Sequence, residues 1–253
     1  MLRSIIQAGG ESTRIREVFD GPKPLAPVGN YTLLSLHLQP LIKSKLISKY
    51  IFTLRHKHEI VQNYINEIKR EFDILTHSIV EPKPIGRAGV VRLGIENKII
   101  DTENPHLISY PDDLIPINIK ELIDYASDAE RKDKSLIMVM AKRYTNPFGI
   151  GVGKKVGDLI ELRSFIEKPE LPFIENHYAA TGMLLFLPES MEEFKNAPLD
   201  RITHPEHEIV PRLVKKNKVA VFPVERWISV NYSSDYKSIL QMGPEKLLEF
   251  LKV

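Results

Sequence analysis

Residues 5–14 read Ile-Ile-Gln-Ala-Gly-Gly-Glu-Ser-Thr-Arg, and residues 21–28 read Gly-Pro-Lys-Pro-Leu-Ala-Pro-Val. The apolar run that opens the first segment predicts a buried β-strand. Gly9 and Gly10 then allow a sharp turn and a close approach between backbone and ligand. Arg14 and Lys23 follow in the same stretch, where prolines restrict the chain. Backbone N–H groups beside two cations predict a phosphate site; the alternative is a tight turn beside an exposed basic face.

The composition is that of an ordinary globular protein. The 253 residues suffice for one large α/β domain or two small ones, and 43% of them are hydrophobic. The 35 basic and 33 acidic residues give a net charge of +2, which argues against a nucleic-acid or membrane-surface partner. The absence of cysteine excludes disulfides, thiol catalysis and cysteine–zinc sites. The chain has no long apolar stretch and starts directly in a strand, so we expect a cytoplasmic protein without a removable signal.

Predicted strands and helices alternate through the first half of the chain. Apolar runs predict strands near residues 49–54, 73–80, 106–110 and 135–141, with helices near 33–45, 60–68, 87–97 and 119–127. Pro40 predicts a kink or a break in the first of these helices. The alternation is typical of a mainly parallel sheet that binds ligands beyond the carboxyl ends of its strands. Gly9, Glu81 and Asp112 each follow an apolar run, so we expect them on one rim.

The second half of the chain has a different order of predicted elements. Strands predicted near residues 148–152, 159–167, 178–187 and 219–224 have short connections, which favours an antiparallel extension of the same sheet. Helices are predicted over 206–216 and 236–251. His204, Glu206, His207 and Glu208 resemble a metal site, but Pro205 favours a helix start.

The two opening segments resemble the signature of the sugar-1-phosphate nucleotidyltransferases, Ala-Gly-Gly-x-Gly-Thr-Arg followed by Pro-Lys-x-Leu. Ser12 stands where the family has glycine, and the matching residues are Ala8, Gly9, Gly10, Thr13, Arg14, Pro22, Lys23 and Leu25. The resemblance implies that this loop binds the nucleotide and that Arg14 and Lys23 hold its triphosphate during catalysis.

This resemblance also implies the architecture. We expect an α/β, three-layer, Rossmann-like nucleotide-diphospho-sugar transferase fold with a mixed, mainly parallel sheet and helices on both faces. One catalytic domain would cover residues 1–253, with 1–145 for the nucleotide and 146–253 for the sugar. No hexapeptide repeat follows, so we expect no C-terminal β-helix.

Pro111-Asp112-Asp113 ends a predicted strand and resembles the metal motif of the family. The resemblance implies that Asp112 binds Mg²⁺, a hard cation that prefers carboxylate and phosphate oxygens. Asp113 is then a cap or a group that supports Asp112. The alternative is a turn or a helix cap after the strand.

Residues 81–89 resemble the segment with which the family reads the nucleotide base. The resemblance places Glu81 on the base and lets Gly86 approach it closely. An ionised carboxylate only accepts hydrogen bonds, so Glu81 suits guanine, with two donors, as well as uracil or thymine, with one. The alternative is a strand-to-helix turn.

Three further segments resemble the sugar-binding parts of the family. Phe148-Gly149-Ile150 implies a backbone contact to the sugar, and Ala180-Thr181-Gly182 a second turn beside it. In Glu167-Lys168-Pro169, the resemblance implies that Glu167 binds sugar hydroxyls and Lys168 the sugar phosphate. Alone, this last motif would indicate only a charge pair at the end of a strand.

The sequence departs from the family at Trp227-Ile228-Ser229-Val230-Asn231. Ser229 replaces an aspartate that is a second metal ligand, and Asn231 replaces a glycine. Ser12 and Ser229 together motivate the alternative of a non-catalytic relative that binds nucleotides or nucleotide sugars.

The favoured function is transfer from an NTP to a sugar 1-phosphate. Pro-Asp-Asp favours UTP or dTTP with glucose 1-phosphate, whereas Glu81 is compatible with a mannose-1-phosphate guanylyltransferase. Another acceptor, such as phosphocholine, is a further alternative. The sequence leaves the oligomeric state open, a homo-oligomer included.

Overall fold

A nine-stranded sheet forms the centre of the computed structural model, which describes residues 1–142, 149–167 and 177–252. The strands in chain order are β1 Leu2–Gln7, β2 Pro27–Val28, β3 Tyr31–Thr32, β4 Ile47–Leu54, β5 Thr76–Val80, β6 His106–Ser109, β7 Asp113–Leu114, β8 Leu136–Ala141, β9 Ile150–Val156, β10 Leu159–Ile166, β11 His177–Phe186, β12 Val219–Val224 and β13 Ile228–Ser229. The helices are α1 Leu33–Ser44, α2 His58–Phe72, α3 Gly86–Glu96, α4 Ile119–Arg131, α5 Pro188–Met191, α6 Pro205–Lys215, α7 Ser233–Met242 and α8 Pro244–Phe250.

The sheet is mixed and mainly parallel, as predicted. Its strand order is β5-β4-β1-β6-β11-β8-β12-β10-β9. β1 runs parallel to both neighbours, with Ile5 opposite Ile51 of β4 and Ile108 of β6. The predicted antiparallel extension is present in part, because β10 pairs antiparallel with β12 and β9 at one end of the sheet. β11 departs from it, since β11 is antiparallel to β6 and β8 and lies between them. The apolar residues of β11 are buried on both faces, which suits an interior position rather than an edge.

Alternate residues of β1 enter two separate parts of the core. Ile6 packs on one face of the sheet and Ile5 on the other, and both are fully buried. A third group of buried residues lies under the loops and joins α7 and α8 to the opening segment; it includes Ile15, Val28, Val230, Tyr236 and Leu247. Among the described residues, no helix has both the length and the apolar character needed to cross a bilayer.

Two helix predictions need correction. α1 continues through Pro40 to Ser44, so the predicted break does not occur, while a kink at Pro40 stays a prediction. A proline inside a helix destabilises it by about 3 kcal/mol, but burying each leucine side chain contributes about 2 kcal/mol. The leucines of α1 that are buried are Leu33, Leu34, Leu36, Leu38 and Leu41.

The predicted helix over residues 236–251 is instead two helices, α7 and α8. They are divided at Gly243, whose φ of 80° ends α7, and Pro244 then starts α8. Glycine suits this backbone conformation, and proline suits the first position of a helix.

Candidate active site

A cleft of about 640 Å³ opens at the carboxyl ends of the parallel strands. Residues after β1, β4, β5 and β6 line it, together with a turn inside β11. The structure brings nearly all the predicted site residues to this cleft: Ala8, Gly9, Gly10, Thr13, Arg14, Lys23, Glu81, Gly86, Asp112, Gly149, Glu167 and Gly182. Lys168 lies outside the described residues.

The glycine loop is anchored on the neighbouring strand β4. The Ala8 N–H donates to the Thr53 carbonyl at 2.9 Å. A Cβ on Gly9 would lie 3.2 Å from the backbone nitrogen of Arg55, whereas a Cβ on Gly10 would meet nothing within 4 Å. Gly9 is therefore tightly packed against Arg55, and Gly10 leaves space open on the wall of the cleft.

Ser12 occupies a conformation that explains why a glycine is usual there. Its φ is 60° and its ψ is 18°, in the left-handed region that costs most residues about 1–2 kcal/mol. The serine hydroxyl also makes a contact that glycine could not make, because its Oγ accepts a hydrogen bond from the backbone N–H of Lys23 at 2.6 Å. The substitution therefore ties the glycine loop to the segment that carries Lys23.

Lys23 and Asp112 meet inside the cleft. The Lys23 Nζ lies 2.6 Å from Oδ2 of Asp112, and their side chains are 16% and 26% exposed. Arg14 lines the same cleft, with its guanidinium carbon 5.5 Å from the centroid of the Tyr232 ring. The cleft thus holds both predicted phosphate-binding cations, and one of them, Lys23, contacts the predicted metal ligand Asp112.

Asp113 points away from solvent and joins two segments. The Trp227 indole N–H donates to its Oδ1 at 2.8 Å, and Ser229 also hydrogen-bonds to its side chain. Burial, together with the charge of Asp112, raises the pKa of Asp113 well above its usual range. Ser229 also accepts a hydrogen bond from Asn231 Nδ2 at 2.8 Å. Ser229 therefore lines the cleft but already has partners on the protein.

Glu81 holds the start of α3. Its Oε1 accepts the backbone N–H groups of Ile85 at 2.7 Å and Gly86 at 2.9 Å, while Oε2 lies 3.2 Å from Nε of Arg55. Gly86 has a φ of 81°, and its missing Cβ leaves room for the backbone of Thr203. The close approach at Gly86 is therefore to the protein's own chain, and its approach to a base stays a prediction.

The two glycines on the predicted sugar side are also closely packed. A Cβ on Gly149 would lie 2.5 Å from Oε2 of Glu167. Gly182 has a φ of 76°, and a Cβ there would collide with Asp113 and with the ring of Tyr110. Both glycines therefore allow close packing of side chains that line the cleft, and their contacts to a sugar stay a prediction.

Sequence comparison identifies the family. A family model described as nucleotidyl transferase matches residues 3–236. The chain belongs to the nucleotidyl transferase family. This match covers the glycine loop, Lys23, Asp112 and the Trp227 segment.

The sequence identity between this chain and individual members of the family is low. It is 25% identical to a mannose-1-phosphate guanyltransferase of Neurospora crassa over 237 residues, covering 93% of this chain and 62% of the relative. It is 24% identical to a probable mannose-1-phosphate guanylyltransferase 2 of Oryza sativa, covering 97% of this chain and 66% of that one. The chain therefore spans less than two thirds of the length of these relatives.

Two solved structures confirm the predicted Rossmann-like fold. A putative glucose-1-phosphate thymidylyltransferase from Bacillus anthracis superposes with a TM-score of 0.78 at 18% identity, over 96% of this chain and 95% of the other. A UDP-glucose pyrophosphorylase in complex with UDP-glucose superposes with a TM-score of 0.75 at 13% identity, over 95% and 98% of the two chains. Because the sequence identities are this low, the structural similarity establishes the fold and nothing about the substrates.

A polar cluster in the cleft of this nucleotidyl transferase was not predicted from the sequence. Tyr110 donates its hydroxyl to Oε1 of Glu206 at 2.5 Å, and Arg87 Nη2 lies 3.1 Å from Oε2 of the same carboxylate. Arg87 also donates to His204 Nδ1 at 3.2 Å, and burial together with the Arg87 charge lowers the pKa of His204. Arg87 stands where the family segment has threonine, and that charge at the start of a helix was the available signal.

Proposed function

We propose that the chain transfers a nucleotidyl group from an NTP to a sugar 1-phosphate and releases pyrophosphate. A phosphate oxygen of the sugar 1-phosphate would attack the α-phosphorus, and the bond from that phosphorus to the β-phosphate oxygen would break. The attacking oxygen is already anionic, so no protein nucleophile and no proton transfer are required. The observation that carries the proposal is the meeting of the glycine loop, Lys23 and Asp112 in one cleft of a nucleotidyl transferase.

Under this proposal, the chain's own residues position the reactants and balance their charge. Backbone N–H groups of the glycine loop would bind phosphate oxygens, for which Gly10 leaves open space. Lys23 and Arg14 would stabilise the negative charge that collects on the departing pyrophosphate. Lys23 would leave Asp112 as it turns to the phosphates, because a triphosphate carries more negative charge than one carboxylate.

The donor set fits a magnesium ion that arrives with the nucleotide. Within the part of the chain that the structure describes, no three His, Cys, Asp or Glu residues form a metal-binding group. Asp112 would therefore hold Mg²⁺ as a single carboxylate, with phosphates and water as the other ligands, an arrangement that this ion accepts. When bound, the ion would neutralise charge on the phosphates.

Two substrate pairs are candidates. Pro111-Asp112-Asp113 favours UTP or dTTP with glucose 1-phosphate. The named activity of the fungal and plant relatives favours GTP with mannose 1-phosphate. In either case Glu167, which lies beside Gly149, would accept hydrogen bonds from hydroxyl groups of the sugar.

A non-catalytic nucleotide-binding role is the second candidate function. Ser229 supports it, because no carboxylate occupies the position of the second metal ligand. Ser12 gives it less support, because its hydroxyl binds the Lys23 backbone and the loop keeps its shape.

A pyrophosphate-release assay tests the proposal. Each of GTP, UTP, dTTP, CTP and ATP is combined with glucose 1-phosphate, mannose 1-phosphate or phosphocholine, with Mg²⁺ present. We expect turnover with a sugar 1-phosphate and its loss in the Lys23→Ala variant. Nucleotide binding without pyrophosphate release from any pair would favour the non-catalytic role. Turnover with phosphocholine alone would mean that phosphocholine, and not a sugar 1-phosphate, is the acceptor.

A further inference from the structure

We propose that Arg55 and Glu81 act together as a base selector that admits guanine, uracil and thymine and rejects adenine and cytosine. The inference rests on the proposed function, since it concerns the nucleotide that the cleft receives. It adds a specificity-determining residue, Arg55, which follows a different strand from Glu81 and belongs to none of the sequence segments singled out above.

Arg55 and Glu81 form one polar pair at the nucleotide end of the cleft. Arg55 follows β4 and Glu81 follows the adjacent parallel strand β5, so both side chains leave the same edge of the sheet. Their closest atoms, Nε and Oε2, are 3.2 Å apart. Both residues line the cleft, with side chains 25% and 11% exposed. A donor and an acceptor therefore lie side by side on its wall.

The acceptor capacity of Glu81 is largely used. Oε1 accepts the N–H groups of Ile85 and Gly86, which occupy both of its lone pairs. Oε2 interacts with Arg55 and keeps one lone pair for a ligand. Glu81 can thus accept a single base N–H, but it cannot take two parallel hydrogen bonds from guanine.

Arg55 is held in place and keeps donors for a ligand. Its Nη2 donates to Oε1 of Glu11 at 2.9 Å, and its Nε faces Glu81. A guanidinium has five N–H donors in a rigid plane, and these two carboxylates engage only part of them. With two carboxylates fixing the plane, the remaining N–H groups have a defined direction.

A donor beside an acceptor matches one chemical feature of a base. Guanine, uracil and thymine carry a carbonyl next to a ring N–H, so Arg55 would donate to the oxygen and Glu81 would accept the N–H. Adenine and cytosine carry an amino group next to an unprotonated ring nitrogen. In those bases a donor would face Arg55 and a lone pair would face the carboxylate, so both contacts would be lost.

The position of the pair along the sheet suits a nucleoside. β5 and β6 are separated by β4 and β1, so Glu81 lies three strand intervals from Asp112. At about 4.8 Å per interval, this is roughly 14 Å. An extended nucleoside triphosphate can span such a distance, with its phosphates at Lys23 and Asp112 and its base at Arg55.

Binding of two matched nucleotide pairs tests the selector without any mutation. ITP and ATP differ only in the group at position 6 of the purine and in the proton on N1. UTP and CTP differ only in the group at position 4 of the pyrimidine and in the proton on N3. Calorimetry of the full chain with Mg²⁺ should show ITP binding more tightly than ATP, and UTP more tightly than CTP, by about ten- to a hundredfold. Equal affinities within both pairs would overturn the selector while leaving the proposed function intact. No binding of any triphosphate would overturn the proposed function itself.

A variant then assigns the selection to Arg55. Arg55→Met keeps a side chain of similar length without the donors, and it should reduce the ITP/ATP and UTP/CTP ratios towards one. Arg70→Met is the matched control, because Arg70 is exposed on α2, does not line the cleft and donates a hydrogen bond to the Asn66 carbonyl. Full selectivity in a folded Arg55→Met protein would exclude Arg55 as the selector.

Discussion

Lys23→Ala should abolish most of the proposed activity while the protein stays folded. The Lys23 ammonium lies 2.6 Å from Asp112 in the cleft, where the charge of a departing pyrophosphate would develop. A unit charge about 4 Å away contributes about 4 kcal/mol at an effective dielectric constant of 20. Removing one preorganised donor from such a site typically lowers the rate by about 10²- to 10³-fold. We expect a loss of kcat/KM of that size.

The stability effect of Lys23→Ala should be small. Both partners of the Lys23–Asp112 pair keep contact with solvent, so the pair contributes at most about 1 kcal/mol. The hydrogen bond from Lys23 to Ser12 uses the backbone N–H and survives the substitution. For a chain of this size, 1 kcal/mol corresponds to a change in Tm of about 2–4 °C.

Lys120→Ala provides the matched control. Its Nζ also lies 2.6 Å from an aspartate, Asp124, but both side chains are on the exposed surface of α4. The assay is pyrophosphate release under subsaturating substrate, with thermal unfolding measured on the same preparations. A Lys23→Ala enzyme with nearly normal kcat/KM, or one impaired no more than Lys120→Ala, would refute the phosphate-binding role of Lys23.

Three further predictions concern stability, metal binding and pH. Gly182→Ala should lower the free energy of unfolding by about 2–5 kcal/mol in urea titration, because the new Cβ meets Asp113 at a positive φ, whereas Gly10→Ala should change it little. Ser229→Asp should shift the Mg²⁺ dependence of turnover to lower concentration by restoring a carboxylate; an unchanged titration would mean that position 229 is not a vacated ligand site. Burial lowers the pKa of His106 from 6.5 to about 4, so the unfolded chain takes up a proton first and stability falls as pH drops through this window. His106→Gln should flatten that decline by up to about 3 kcal/mol in urea titrations between these pH values, and an identical decline would contradict it.

The location of the candidate site was predictable from the sequence because it depends on simple geometry. Gly9, Glu81 and Asp112 were each predicted to follow a strand, and parallel strands bring their carboxyl ends to one edge. The structure places all three in one cleft. The alternation of strands and helices likewise sufficed for the fold class.

The partners within the site were not predictable, because they come from distant parts of the chain. Glu81 meets Arg55 only because β4 and β5 pair side by side, and Glu206 reaches Tyr110 from 96 residues away. The spacing of residues within one segment does not predict contacts between segments that are far apart in the chain. The same reason explains the position of β11, since apolar alternation predicts a strand but does not say which two strands it will join.

The placement of β11 has a consequence for how the protein is made. β6 and β8 are synthesised early, yet the strand that lies between them comes from residues 177–186. Until that segment leaves the ribosome, β6 and β8 each keep an unpaired edge of the kind that promotes aggregation. A fragment that ends before residue 177 is therefore not expected to fold as an independent unit. Completion of the sheet therefore depends on a late, long-range pairing of β11 with β6, a kind of contact that is associated with slow folding.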